Sequence, residues 1–265
     1  MTDLLVSVRD GFEFREAVAA GVGIIDFKEP SRGALAAVDP AIWHAAALGI
    51  APLAGGAPSI RLQYSGAIAN DPVIPTRPLL SAALGEAADW QGVVSQLPRA
   101  FHFAKIGPSG IKTPAAMKQL WDSASQCIGP ATELVAVAYA DSESATCMAA
   151  EQVFQLAAEF GFRRCLVDTF SKDGRSSIEH LGYTRLRTLG RIATQASMKW
   201  SLSGSIRLTM VDRLVSERVF PDCYAVRGDV CRTDRTSRLC PSRLQQWVDC
   251  VSILHPRSLG PIESR

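Results

Sequence analysis

Apolar residues along the chain come in short dense runs separated by longer amphipathic stretches, and the two alternate in regular beats. The runs are "LLVSV" (4–8), "GIIDFK" (23–28), "LLSAAL" (79–84), "FHFAKI" (101–106), "LVAVAYA" (134–140), "RCLVDTF" (164–170), "KWSLSG" (199–204) and "CYAVRG" (223–228). Their near-continuous Val, Ile, Leu and Ala content predicts strands buried on both faces, as in a parallel sheet.

The stretches between them read as helices. A helix over 11–20 has Asp10 as cap and stops at Gly21; one over 40–48 opens on Asp39-Pro40; one over 114–126 opens on Thr113-Pro114. Asp or Thr at the cap and proline at the first helical position suit a helix start, and glycine suits its end. Helices are also expected over 144–160, 177–196, 207–219 and 241–254, with a weaker pattern over 86–97.

Eight strands alternating with helices in 265 residues predict a single-domain (β/α)8 TIM barrel. A doubly wound open sheet is the alternative, but "GVGIID" is not GxGxxG and no Walker sequence is present. One segment falls outside the beat. Residues 49–78 hold five prolines and four glycines and read as an irregular insertion within that one domain.

Composition narrows the partners. Twenty-eight basic against 26 acidic residues, without a basic stripe, argue against nucleic acid. No apolar run reaches a membrane span and the N-terminus does not read as a signal peptide. The seven cysteines form no CxxC pair and suit reduced thiols in the cytoplasm. The four histidines form neither HxxxH nor HExxH, so no metal site is expected, although acidic residues can still hold Mg²⁺. No cofactor is expected either. Trp121, Met148 and Trp247, on the outer elements, would serve the core or a homo-oligomer interface.

A barrel enzyme builds its site at the C-terminal ends of its strands. The polar residues there are Ser7 and Arg9, Asp26 and Lys28, Ser81 and Glu86, Lys105, Tyr139 and Asp141, Asp168 with Lys172, Ser201 to Ser205, and Arg227 with Gly228. Residues two apart share a face of a strand, so Asp26 and Lys28 point the same way, as do Tyr139 and Asp141. Lysines brought together in a low-dielectric pocket lower one another's pKa, which frees an amine to attack a carbonyl. The structural alternative is an Asp26–Lys28 ion pair that fixes register, with Lys105 reaching the rim and Lys172 an ordinary loop lysine. Convergence of all three lysines with carboxylates on one rim favours chemistry. The small residues of "SLSGSIR" and "VRGDV" (Ser203, Gly204, Ser205, Arg227 and Gly228) suit phosphate after strands 7 and 8, unless they merely make tight turns. A small phosphorylated aldehyde or ketone is the expected substrate.

Taken together, "LLVSVRD", "GIIDFKEPSRGALAA", "LLSAALGE", "FAKIG", "VAVAYAD", "LVDTFSKDG", "LSGS" and "VRGDVC" resemble the (5-formylfuran-3-yl)methyl phosphate synthase family over residues 4–232, apart from 49–78. The resemblance implies a barrel lyase of methanofuran biosynthesis that condenses two molecules of glyceraldehyde 3-phosphate into a furan aldehyde phosphate, with loss of phosphate and water. It implies that Lys28 forms the Schiff base, that Lys172 transfers protons, and that Lys105, Asp26, Asp168 and Asp141 complete the site. The family pattern reads GGADIID where this chain has "GVGIIDF", and GSLGA where it has "GALAA"; no lysine or carboxylate is lost. Two rivals stand beside this reading: another Schiff-base aldolase acting on sugar phosphates, and a non-catalytic sugar-phosphate-binding barrel.

Overall fold

The computed structural model describes residues 2–51, 60–61 and 77–254. Eight parallel strands close into a barrel: β1 (Asp3–Val8), β2 (Ile24–Phe27), β3 (Leu79–Glu86), β4 (Phe103–Gly107), β5 (Glu133–Tyr139), β6 (Arg164–Asp168), β7 (Lys199–Leu202) and β8 (Cys223–Val226). Each pairs with its neighbours in sequence order, and β8 returns to β1. The TIM barrel expected from the alternating runs is therefore the fold.

The side-chain alternation explains why the strands read as continuous apolar runs. One set of positions (Val6, Ile25, Ala82, Ala104, Ala138, Val167, Leu202, Val226) faces outward and packs beneath the helices. The other (Leu5, Ile24, Ala83, Phe103, Val137, Leu166, Ala225) fills the barrel interior as a separate cluster. Between barrel and helices, Phe14, Phe27, Phe101 and Trp43 stack in sequence, with ring centroids 5.5, 5.6 and 6.2 Å apart. Trp121, Met148 and Trp247 all lie in this outer core, so they supply no surface for an oligomer.

The helices are α1 (Gly11–Ala19), α2 (Pro40–Ala47), α3 (Gln91–Val94), α4 (Pro114–Cys127), α5 (Ala150–Phe160), α6 (Ser177–Gln195), α7 (Val211–Ser216) and α8 (Pro241–Ile253). The caps behave as their chemistry requires: the Asp10 carboxylate accepts from the amides of Phe12 and Glu13, Asp39 from Ala41, and Thr113 from Ala116. Three helices are shorter than the periodicity predicts. The chain over 141–149 coils as turns, with Thr146 in the left-handed region at φ 53°, so α5 starts at Ala150. The expected 207–219 helix breaks into a 3₁₀ turn (Leu208–Met210) and the six residues of α7. Only Gln91–Val94 is helical within 86–97. In α6 the helix is interrupted at Gly182, where φ is 69°.

After α2, Ile50–Ala51 and Ile60–Arg61 pair as a two-stranded antiparallel ladder outside the barrel. The rest of the 49–78 insertion, up to 76, lies outside the described residues. Among the described residues, all seven cysteines are unpaired, no helix is long and apolar enough to cross a membrane, and no group of three or more His, Cys, Asp or Glu side chains is placed to hold a metal ion.

Candidate active site

The inward-facing polar residues stack in layers up the barrel. In the lower layer Ser7, Asp26 and Ser81 lie side by side on β1, β2 and β3, and Lys105 stands beside Ala83 on β4. Asp26 Oδ2 accepts from Ser7 Oγ at 3.1 Å, and Lys105 Nζ lies 2.6 Å from Asp26 Oδ1. The partner of Asp26 is thus Lys105 and not Lys28, which corrects the ion pair that the shared face suggested. Residues two apart on a strand point in parallel, whereas side chains from different strands converge on the barrel axis. Burial pushes the Lys105 pKa down against the opposing pull of Asp26, and the nearby Lys28 charge pushes it further.

The upper layer centres on Asp168 at the end of β6, which is 1% exposed. Its Oδ1 accepts from the Thr169 amide at 2.8 Å and from Lys172 Nζ at 3.1 Å. Lys28 Nζ approaches Oδ2 at 3.5 Å. Burial works to raise the Asp168 carboxyl, but the Lys172 and Lys28 ammonium groups and the Thr169 amide outweigh it and hold the pKa well below the usual carboxylate range. Lys172 also donates to Thr169 Oγ1 at 3.0 Å and to the Thr169 carbonyl, so its donors are satisfied. Burial lowers its pKa nonetheless, with Lys28 and Arg235 adding to the effect and Asp168 opposing it.

The two layers hold three lysines against two carboxylates. Their tethering differs. Lys105 sits on Asp26 and Lys172 has three acceptors, while Lys28 is held only by its long contact with Asp168 Oδ2, an oxygen that accepts no hydrogen bond among the described residues. Lys28 is therefore the amine that loses least on turning to a substrate. Lys28, Asp168 and Lys172 line a cavity of about 440 Å³ at the C-terminal mouth of the barrel, within the roughly 300–1,000 Å³ of small-molecule sites. Lys105 lies lower and lines a small hollow of about 30 Å³ near the opposite end of the interior.

The remaining expected site residues separate into two groups. Ser203, Gly204, Ser205, Arg227 and Gly228 line the large cavity, although the Arg227 donors turn to protein. Gly204 and Ser205 are both left-handed, at φ 83° and 55°. A Cβ on Gly204 would stand 2.2 Å from Ser177 Oγ and 2.9 Å from the Thr169 amide nitrogen, so only glycine lets the loop pack against the start of α6. Arg227 and Asp141 do other work than expected. All five donors of Arg227 are spent on protein: Glu13 at 2.5 and 3.1 Å, and the carbonyls of Ser7, Arg235 and Ser237. None is left for a phosphate. Asp141 accepts from the amides of Phe170 and Ser171, both at 2.7 Å, and so holds the loop that carries Lys172 rather than joining the lysines. Strand parity fixes where a Cβ points, not which partner a long side chain finds.

Glu86 and Tyr139 pair with each other: the buried Tyr139 hydroxyl donates to Glu86 Oε1 at 2.6 Å, beside Asp168 on the adjacent strand. Burial raises the Glu86 carboxyl despite the hydrogen bonds from Tyr139 and Ser109. Thr169 and Arg235 are part of the site without any strong signal in the sequence. The cluster of charges in "RTDRTSR" just past β8 was the only hint of Arg235.

Comparison with known proteins places the chain in a family. A family model described as 4-HFC-P synthase matches residues 4–248. The (5-formylfuran-3-yl)methyl phosphate synthase of Methanosarcina mazei is 27% identical over 248 residues, 92% of this chain and 97% of that protein. Its counterpart from Methanopyrus kandleri is 30% identical over 245 residues, 91% and 94% of the two chains. Among solved structures, phosphoribosyl anthranilate isomerase from Thermus thermophilus superposes with a TM-score of 0.57 at 10% identity, covering 96% of this chain and all of that one. The (S)-3-O-geranylgeranylglyceryl phosphate synthase of Thermoplasma acidophilum gives 0.55 at 11%, covering 96% and 94%. These two speak for the barrel alone. The family match runs from β1 into α8 and takes in both lysine layers, and the chain belongs to the 4-HFC-P synthase family.

Proposed function

We propose that the protein is a Schiff-base lyase that condenses two molecules of glyceraldehyde 3-phosphate into (5-formylfuran-3-yl)methyl phosphate, in the biosynthesis of a methanofuran-type cofactor. The observation that carries this reading is the loosely held Lys28 amine, facing a cavity in which cations outnumber carboxylates. The names of the relatives point to the same product.

Lys28 Nζ adds to the carbonyl carbon of one triose phosphate, and water leaves to give an imine. Asp168, kept ionised by its two lysines, accepts a proton from the adjacent carbon, and Lys172 relays protons between Asp168 and the substrate oxygens. Phosphate leaves from C3 of the imine-bound molecule, and the nucleophilic C3 of the resulting enol joins the carbonyl carbon C2 of the second triose phosphate, isomerised to its ketone. Its terminal hydroxyl closes the ring on C2 of the first molecule, two dehydrations form the furan, and hydrolysis of the imine releases Lys28 and the formyl group. By atom balance two triose phosphates yield one furan aldehyde phosphate, one orthophosphate and two waters. Asp26 and Lys105 form the ion pair that closes the site from below.

The test is borohydride reduction in the presence of glyceraldehyde 3-phosphate, followed by peptide mass spectrometry, with the unreduced product identified in parallel. The expected adduct is on Lys28 and the expected product absorbs as a furan aldehyde; Lys28→Ala abolishes both. Normal turnover by Lys28→Ala would end the imine assignment, and a simple aldol product would make the protein a different Schiff-base aldolase.

A further inference from the structure

The loop between β8 and α8 is a built platform. Arg227, itself clamped on Glu13, holds it from below through the carbonyls of Arg235 and Ser237. Arg9 reaches the carbonyl of Thr236, and the Asp234 carboxylate accepts from the amides of Thr236 and Ser237 at 2.8 and 3.1 Å. The effect is to fix the backbone at Arg235.

The Arg235 side chain leaves this platform and crosses to the loop after β2, where Nη2 donates to the Gly33 carbonyl at 3.0 Å. It is half-buried and lines the cavity with Lys28, Asp168 and Lys172. It makes no ion pair among the described residues, and Nε and Nη1 have no acceptor there. A guanidinium drawn from water onto a prepared support, without a carboxylate, is poised for an anion. Its planar fork matches phosphate oxygens. The contrast with Arg227 is informative: two arginines serve one loop, one saturated by protein and one left open to the cavity.

The cavity already has a different anion-compatible wall in the left-handed pair Gly204 and Ser205, on the far side of β8 from Gly33. Two phosphorylated substrates cannot share one cradle, because two dianions in a dry cavity repel strongly. We infer that Arg235 is the recognition residue for the phosphate of the second triose phosphate, while the backbone at 203–205 takes the phosphate of the molecule bound to Lys28. This inference rests on the two-substrate condensation proposed above.

Two measurements on Arg235→Gln and Arg235→Lys test it. The first is steady-state furan formation alongside borohydride trapping on Lys28. The expected result for Arg235→Gln is a KM for furan formation raised about tenfold or more, a half-saturation for imine trapping that stays at the wild-type value, and partial recovery of KM in Arg235→Lys. The second is calorimetric titration of the unmodified protein and of Arg235→Gln with inorganic phosphate, which needs no turnover. Two phosphate ions per chain are expected in the former and one in the latter. Arg235→Gln with unchanged KM and two bound phosphates overturns the assignment, as does an equal loss of trapping and condensation. If the unmodified protein makes no furan, the function reading falls while the phosphate stoichiometry still decides the role of Arg235.

Discussion

Asp168 is the residue on which the charge balance of the upper layer turns. It is the only carboxylate within ion-pair reach of Lys28 and of Lys172 among the described residues. Asp168→Asn leaves the buried Lys28 ammonium and the half-buried Lys172 ammonium with no counter-charge, and breaking a buried pair from one side costs about 3–5 kcal/mol. The pH dependence follows from the direction of its shift. A carboxyl whose pKa falls on folding contributes stability that is complete above the unfolded value, about pH 4, and that is lost as the pH falls towards the lower folded value. Melting curves of the unmodified protein and Asp168→Asn should therefore lie far apart at pH 7 and converge in acid; a gap that does not change with pH would contradict this account. At the residue scale the sequence was informative to a limited depth. Asp26, Lys28, Lys105 and Asp168 could be placed inside the barrel because parity and position along a strand are properties of the backbone. That Asp26 takes Lys105, and that Arg227 takes Glu13, depends on which side chains meet across the axis, and no local pattern carries that.

At the scale of elements, the loops after β6 and β7 and the start of α6 form one unit. Ser176 caps α6, accepting from the Glu179 amide while Glu179 accepts back from the Ser176 amide. Ser177 donates through its amide to the Gly204 carbonyl and through its hydroxyl to the Ser203 carbonyl at 2.7 Å. Gly204 thus couples the loop after β7, proposed to take a phosphate, to the loop that positions Lys172. Gly204→Ala forces a side chain into φ 83° and against Ser177 and Thr169. The expected cost is about 1–3 kcal/mol of stability, read by urea denaturation. Because the collision displaces Thr169, a partner of Lys172, kcat should fall as well as phosphate affinity. Unaltered kinetics at reduced stability would uncouple the two loops. The strands were legible because burial on both faces leaves a run that few other structures produce. The 144–160 and 207–219 helices were overextended because their N-terminal segments are amphipathic yet wrap as turns: Thr146 adopts a left-handed backbone that periodicity does not register.

Across the whole molecule, closure of the barrel brings the last strand back to the first, and the seam between them carries a buried ion pair. Glu13 at the start of α1 is fully buried; Arg227 at the end of β8 is nearly so. Arg9 adds a third member at 3.4 Å from Glu13. The cluster links positions 9 and 13 to 227, and through Arg227 it suspends the loop that presents Arg235. Glu13→Ala strands the Arg227 guanidinium in a dry seam. The expected loss is about 3–5 kcal/mol, seen as a lower urea midpoint with an unchanged slope, because the folded and unfolded surfaces stay alike. Replacing both partners by apolar residues, Glu13→Leu with Arg227→Met, removes the stranded charge and should recover much of that stability. It cannot recover the loop, which loses the donors to the Arg235 and Ser237 carbonyls. The double variant should thus fold well and still bind inorganic phosphate less tightly than the unmodified protein. Equal phosphate affinity in the two would mean that the platform stands without Arg227, and that the seam serves stability alone.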